Sequence, residues 1–210
     1  MNREARRLEG TEHENHATFL ARFALKVTPD ELRLLDFAYD LAKHAHDKQL
    51  RETGARYFEH PRAAALILVD ELGITDVGMI IAELLHDCPE DTTLLTIDRI
   101  RIIFGERVAR IDETLTKPKD NDPRFKTNAA RKHWYYANIQ ASGVDEKIAK
   151  LADRLQNTRS LVACSREKQL RKIAETRKYI LPLIADVAKV YPKVAELLTQ
   201  KFAEALVKIA

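Results

Sequence analysis

The sequence predicts an all-α fold, a single compact helical bundle. Three observations carry that reading. Apolar residues recur at three-and-four spacing along most of the chain, no stretch alternates apolar and polar residues as a half-buried strand would, and Gly54, Gly73, Gly105 and Gly143 fall between the periodic segments. Residues 1–27 read as an N-terminal extension, partly helical, with any disorder confined to the first dozen positions. The bundle itself spans residues 28–210. Its first helix has a readable start, because Thr28, Pro29, Asp30 and Glu31 combine a capping hydroxyl, proline at the first helical position and a capping-box glutamate. Leu32, Leu35, Ala38, Leu41, Ala42 and Ala45 then mark one buried face, and the helix is expected to end near residue 48. The same pattern predicts helices at about 61–72, 76–87, 97–104, 106–116, 124–141, 144–162, 166–186 and 192–208. Pro182 sits inside one of them and is expected to kink it.

Composition excludes several classes of function. A chain of 210 residues with 45% hydrophobic and 32% charged residues can bury a sizeable core. Thirty-five basic against 32 acidic residues leave a net charge of +3, too weak a bias to imply a nucleic-acid partner. The longest apolar run, Ala63 to Val69, is far short of a membrane span, and the polar start lacks a signal-peptide core, so a cytoplasmic protein is expected. Cys88 and Cys164 lie far apart and suggest neither a disulfide nor a cysteine zinc site. Charge is nonetheless uneven. Residues 83–98 hold five acids and no Lys or Arg, whereas residues 147–178 hold ten Lys or Arg against three acids. An acidic patch able to hold a cation, beside basic walls able to hold phosphates, suits a metal-dependent enzyme acting on a polyphosphorylated nucleotide.

The common nucleotide motifs are absent. No two glycines stand in G-x-G spacing, and Gly73 to Gly78 lacks the following Lys-Ser/Thr of a phosphate-binding loop. His13-Glu14-Asn15-His16 has the wrong spacing for a metalloprotease helix and reads as surface. The informative stretch is Leu84-Leu85-His86-Asp87-Cys88-Pro89-Glu90-Asp91-Thr92, where an apolar helix ends in adjacent His and Asp and a second acidic pair follows one turn later. His60 opens another helix, and Asp153 interrupts the half-apolar face Ile148 to Ala152. Singly, His60 reads as a capping or core histidine and Asp153 as a partner of Lys150 or Arg154. Together His60, His86, Asp87 and Asp153 make a mixed nitrogen and oxygen ligand set. It suits a six-coordinate ion such as Mn²⁺ or Fe²⁺, which keeps positions open for water and a phosphate oxygen.

In their order H…HD…D these residues resemble the HD superfamily of metal-dependent phosphohydrolases. Three segments are more specific: His46-Asp47-Lys48-Gln49-Leu50-Arg51-Glu52-Thr53-Gly54 with Tyr57 and His60-Pro61, then His86 to Thr92, then Lys150-Leu151-Ala152-Asp153-Arg154-Leu155-Gln156-Asn157. These resemble the hydrolase domain of the RelA/SpoT family over about residues 32–162, as in a stand-alone small alarmone hydrolase. The resemblance implies that His60, His86, Asp87 and Asp153 hold Mn²⁺ and that Glu90 and Asp91 orient or deprotonate the attacking water. It implies removal of pyrophosphate from the 3′ position of (p)ppGpp, leaving GDP or GTP. Arg51 and Thr53 match positions that contact the base, and Asn157 matches a base- or ribose-side asparagine. Tyr57, Lys117 and Arg131 are further substrate-contact candidates.

The sequence departs from the family pattern at Lys48, where glycine is usual, at Glu52, at Ala55-Arg56, and at Gln156, where histidine is common. None of these removes a ligand, and all cluster around the expected base and ribose pocket. The preferred base therefore stays open, with an adenine alarmone such as ppApp, or NADPH, as alternatives. A non-catalytic nucleotide-binding module and a helical nucleic-acid binder are the readings from another class. Glu90 and Asp91 argue against simple binding, which needs no water-handling carboxylates beside a full ligand set. The expected partner is a small polyphosphorylated nucleotide, with no nucleic acid and no membrane; the oligomeric state is not fixed by the sequence.

Overall fold

The structure, a computed structural model, describes residues 3–209; Met1 and Asn2 of the predicted extension, and Ala210, lie outside the described residues. Residues 3–209 form helices joined by turns and loops, and among them the extended pairing is one isolated antiparallel bridge, Leu50 to Arg56. The N-terminal stretch carries two short helices, α1 (Arg3–Leu8) and α2 (His16–Ala21). Asn15 caps α2 in a reciprocal capping box with Thr18, and the His16 ring stacks on Tyr39. His13 and Asn15 are exposed, as the surface reading expects, whereas His16 is half-buried through this stacking and its pairing with Asp36. Phe19 and Phe23 are fully buried in the main core beside Leu35 and Tyr39.

Helix α3 (Pro29–Ala45) starts as the sequence predicts, with the Thr28 hydroxyl accepting from the Glu31 amide and the Glu31 carboxylate accepting from the Thr28 amide. It stops at Ala45 rather than near residue 48, because the chain turns at His46 and the next amides bond only three residues back. The loop that follows is a tight excursion closed by Arg51 N–H to Ala55 O and Tyr57 N–H to Gln49 O, both 2.9 Å. Gly54, at φ 80°, supplies the left-handed turn that this closure requires.

Helix α4 (Glu59–Leu66) is buried along its whole length and runs into a wide π turn at Ile67–Glu71. Helix α5 (Val77–Leu85), capped by Asp76, ends at His86, and the single turn α6 (Cys88–Asp91) follows with Pro89 in its first positions. Helices α7 (Ile97–Phe104) and α8 (Glu106–Leu115) pack on each other across Gly105. Helix α9 (Asn128–Ala141) begins four residues later than predicted, where the Thr127 hydroxyl caps it.

Helix α10 (Val144–Ser160) is the centre of the molecule. It packs against α4, α5 and α8 on one side, and its residues from Glu146 to Gln156 are all buried. The remaining chain forms α11 (Arg166–Glu175), a π turn at Thr176–Ile180, α12 (Leu183–Ala188) and α13 (Pro192–Val207). Helices α12 and α13 cover the other side of α10. The single helix predicted over 166–186 is thus two helices. Pro182 has no amide to donate, and the turn before it slips to a five-residue register, with Leu181 N–H bonding Thr176 O.

Candidate metal centre and its cavity

Three elements bring the centre together. The first turn of α4 supplies His60, the junction of α5 and α6 supplies His86 and Asp87, and the middle of α10 supplies Asp153. One ligand atom from each of His60, His86 and Asp153 lies within 4.8 Å of the others, and all three side chains are buried. Asp87 joins them, with Oδ2 3.4 Å from His60 Nε2 and Oδ1 3.2 Å from His86 Nε2. Asp153 Oδ1 lies 3.3 Å from His60 Nε2.

Both imidazoles are anchored through their far nitrogen. His86 Nδ1 bonds the Glu83 carbonyl at 2.8 Å, and His60 Nδ1 bonds Gln156 Oε1. A ring whose Nδ1 donates to an oxygen presents a bare Nε2, the form in which histidine ligates a metal. His86 Nε2 is buried and makes no hydrogen bond. Asp87 accepts the Tyr57 hydroxyl at 2.9 Å, and Asp153 accepts Lys150 Nζ at 2.6 Å. Two imidazole nitrogens and two braced carboxylates therefore fit a divalent cation, with an unsatisfied buried nitrogen pointing at its place.

Electrostatics agree with that fit. Burial opposes ionisation of Asp87 and Asp153, but His86 and His60 beside Asp87, and Lys150 with the two imidazoles beside Asp153, hold both carboxyls well below the usual range. Burial also works against a charged His86, yet the Asp87, Glu83 and Asp153 charges push it well above the ordinary histidine value. The site thus favours positive charge at the place where a cation would bind. Behind His86, Glu83 and Asp112 are fully buried with all four carboxyl oxygens lacking hydrogen-bond partners. Burial pushes Glu83 up to about 8 and Asp112 well above the carboxylate range.

The centre opens into a cavity of about 330 Å³. Its floor includes His60, Asp87 and Asp153, and Lys117, Lys150, Arg154 and Lys172 contribute positive charge to its walls. Arg51, Thr53, Tyr57 and Asn157 also line it, Tyr57 and Asn157 directly beside the centre. The Arg51 guanidinium lies over the Tyr57 ring, 5.6 Å from the centroid, and donates to Asn157 Oδ1 at 3.0 Å. Asn157 donates in turn to Asp153.

Not every residue singled out in the sequence lines this cavity. Glu90 pairs with Lys117, its Oε1 3.0 Å from Nζ, in a neighbouring cavity of about 680 Å³ that shares Lys117, Arg154 and Lys172. Asp91 is exposed on the last position of α6, where its backbone carbonyl accepts from Gln49. Arg131 stands in the neighbouring cavity, bonded to the Pro118 carbonyl and Asn128. Conversely, the sequence reading passed over Lys150 and Arg154, which line the cavity, Gln156, which bonds His60 behind it, and Glu9, which also lines it. The first three sit one helical turn from Asp153 or beside it, which is the signal that could have found them. Glu9 follows the spacing Ala5 to Leu8 and precedes a glycine, a weak helix-and-stop signature in a segment read as an extension.

The HD domain family matches residues 38–196 of the chain. A MESH1 protein of Danio rerio, named guanosine-3′,5′-bis(diphosphate) 3′-pyrophosphohydrolase, is 32% identical over 179 residues, which cover 85% of this chain and 95% of that protein. The MESH1 protein of Homo sapiens, of the same name, is 37% identical over 132 residues, 62% of this chain and 70% of that one. A Synechocystis protein named as a probable enzyme of the same kind is 40% identical over 152 residues, but the chain spans only 19% of its length, and 22% of a similar Aquifex aeolicus relative. A solved structure described as a metazoan ortholog of SpoT that hydrolyzes ppGpp superposes with a TM-score of 0.67 over 86% of this chain and 98% of that one, at 24% identity, so the fold is shared. With a His-Asp centre seated between the helices that the family match covers, and relatives aligned over most of their own length, the chain belongs to the HD domain family, alongside the MESH1 proteins.

Proposed function

We propose that the protein hydrolyses the 3′-pyrophosphate of (p)ppGpp, giving GDP or GTP and pyrophosphate, with Mn²⁺ as its metal. The observation that carries the reading is the juxtaposition of the His60, His86, Asp87 and Asp153 centre with a cationic cavity that Arg51, Thr53 and Asn157 also line. The names of the MESH1 relatives support the substrate. In this reading the four residues hold the ion, which when bound supplies a water of lowered pKa and polarises a phosphate oxygen.

The chain's own groups do the rest. Lys150, Arg154 and Lys172 neutralise phosphate charge along the walls. Arg51 stacks on the base with Thr53 beside it, and Asn157 faces the ribose. Tyr57 fixes Asp87 through its hydroxyl. Glu90 and Asp91 orient the water or receive its proton, Glu90 being held beside the cavity by Lys117. Lys117 and Arg131 extend the positive surface toward the neighbouring cavity.

Ion-exchange chromatography of ppGpp incubated with metal-stripped protein, with and without Mn²⁺, tests the reading, with ppApp and NADPH in parallel. Pyrophosphate and GDP formed only with Mn²⁺ are expected. Cleavage of ppApp or NADPH alone would refute the guanine assignment, and no cleavage in any lane would refute the enzyme reading. Asp87→Ala is expected to abolish metal retention and turnover, whereas Glu90→Gln should lower kcat while largely sparing the metal.

A further inference from the structure

Glu9 belongs to the N-terminal stretch, outside the matched HD domain, yet its carboxylate is fully buried against the cavity. Three side chains donate to it, Arg51 and Thr53 from the cavity and Gln156 from behind His60. The Thr53 hydroxyl reaches Oε1 at 2.7 Å, Arg51 Nε reaches the same oxygen at 3.4 Å, and Gln156 Nε2 reaches Oε2 at 2.5 Å. The segment is pinned on both sides of it. Arg6 donates to the carbonyls of Thr11 and Glu14, and the Thr11 hydroxyl donates to the buried Glu59 at 2.6 Å.

The donor and acceptor inventory makes this contact directional. A carboxylate only accepts, so it turns the amide nitrogen of Gln156 toward itself and leaves Gln156 Oε1 facing His60. That oxygen also only accepts, so a proton is held on His60 Nδ1 and the ring is set with Nε2 toward Asp87 and Asp153. We propose that Glu9 is a positioning residue for this centre: it sets the His60 tautomer through Gln156 and holds Arg51 and Thr53 at the base end of the cavity. The base-end role rests on the substrate reading above; the His60 role does not.

Glu9→Gln is the informative change, because it keeps the shape while letting position 9 donate, which frees Gln156 to turn over. Three readouts apply to the full chain. Long-range proton–nitrogen NMR of the metal-free protein is expected to show His60 protonated at Nδ1 in the wild type and a mixture of tautomers in the variant. Mn²⁺ affinity, measured by paramagnetic resonance of the free ion, is expected to fall about tenfold. KM for ppGpp is expected to rise about tenfold with kcat changed less.

Gln156→Ala gives the second arm, with the same loss of Mn²⁺ affinity expected. Adding Glu9→Gln to it should cost no further affinity, since the relay is already cut. An unchanged tautomer with Mn²⁺ affinity within about twofold of wild type, or additive losses in the double variant, would overturn the proposal. If the wild type cleaves no nucleotide, the substrate reading falls while the tautomer and Mn²⁺ arms still decide the role of Glu9. Should Glu9→Gln not fold, undiminished Mn²⁺ affinity in Gln156→Ala overturns the relay by itself.

Discussion

Asp87 is fixed from three directions, by Tyr57, His60 and His86. The Tyr57 hydroxyl stays protonated because burial and the Asp87 charge both push its pKa up, so it remains a donor at every pH the fold tolerates. Tyr57→Phe removes that bond, along with the hydroxyl's contact to Asp91, and is expected to weaken Mn²⁺ binding on the order of tenfold without unfolding the protein. A Mn²⁺ titration of the two proteins checks it, and equal affinities would remove Tyr57 from the support of the centre. Asp112 offers a different test. Its folded pKa is raised by burial, so the unfolded chain ionises first, and stability falls as pH rises through the usual carboxylate range toward the folded value. Asp112→Asn abolishes that dependence. Its melting temperature relative to wild type, in metal-free protein, is expected to be least favourable at acid pH and to improve as pH rises above the usual carboxylate range. A difference that does not vary with pH would show that Asp112 titrates normally.

Among the elements, α3 shows how local chemistry sets a boundary. Thr28 and Glu31 satisfy each other's amides on an exposed helix end, so Thr28→Ala is expected to cost about 1 kcal/mol in urea unfolding, with no change in Mn²⁺ affinity. That start was legible because a cap is written in four adjacent residues. The end was not, because His46 turns the chain through contacts with Gln49 and the Tyr57 ring, residues of a loop that folds back on it. The centre was legible for a similar reason. His86 and Asp87 are neighbours at a helix end and stand out from their surroundings, whereas His60, which opens a helix, and Asp153, which interrupts a half-apolar face, became readable only as part of the set. Lys150, Arg154 and Gln156 did not stand out, since charged residues on a helix normally face water. Here α10 is enclosed by neighbours that only the tertiary packing reveals. Glu9 was the least legible, because its three partners lie in a distant loop and in α10.

For the whole molecule, the centre acts as a tie between α4, the α5–α6 junction and α10. An ion bound there and not to the unfolded chain adds stability by mass action. Mn²⁺ at about a hundred times its dissociation constant is expected to contribute about 2.7 kcal/mol, seen as a higher melting temperature that chelator reverses. A melting temperature indifferent to Mn²⁺ would mean that the four residues do not close on the ion.

The hydrogen bond from Gln156 to Glu9 joins positions 147 apart, and that from His60 to Gln156 joins positions 96 apart. Contacts so remote along the chain close late, because each large loop must lose its freedom before the contact rewards it, and they slow folding relative to a bundle built from adjacent helices. On a ribosome, Glu9 would emerge well before its partners Arg51, Thr53 and Gln156, and its pocket would not exist until they had followed. Capture of the metal would then mark completion of folding, and a nascent chain halted before α10 would carry both imidazoles with one of the two carboxylates and none of Lys150, Arg154 or Gln156.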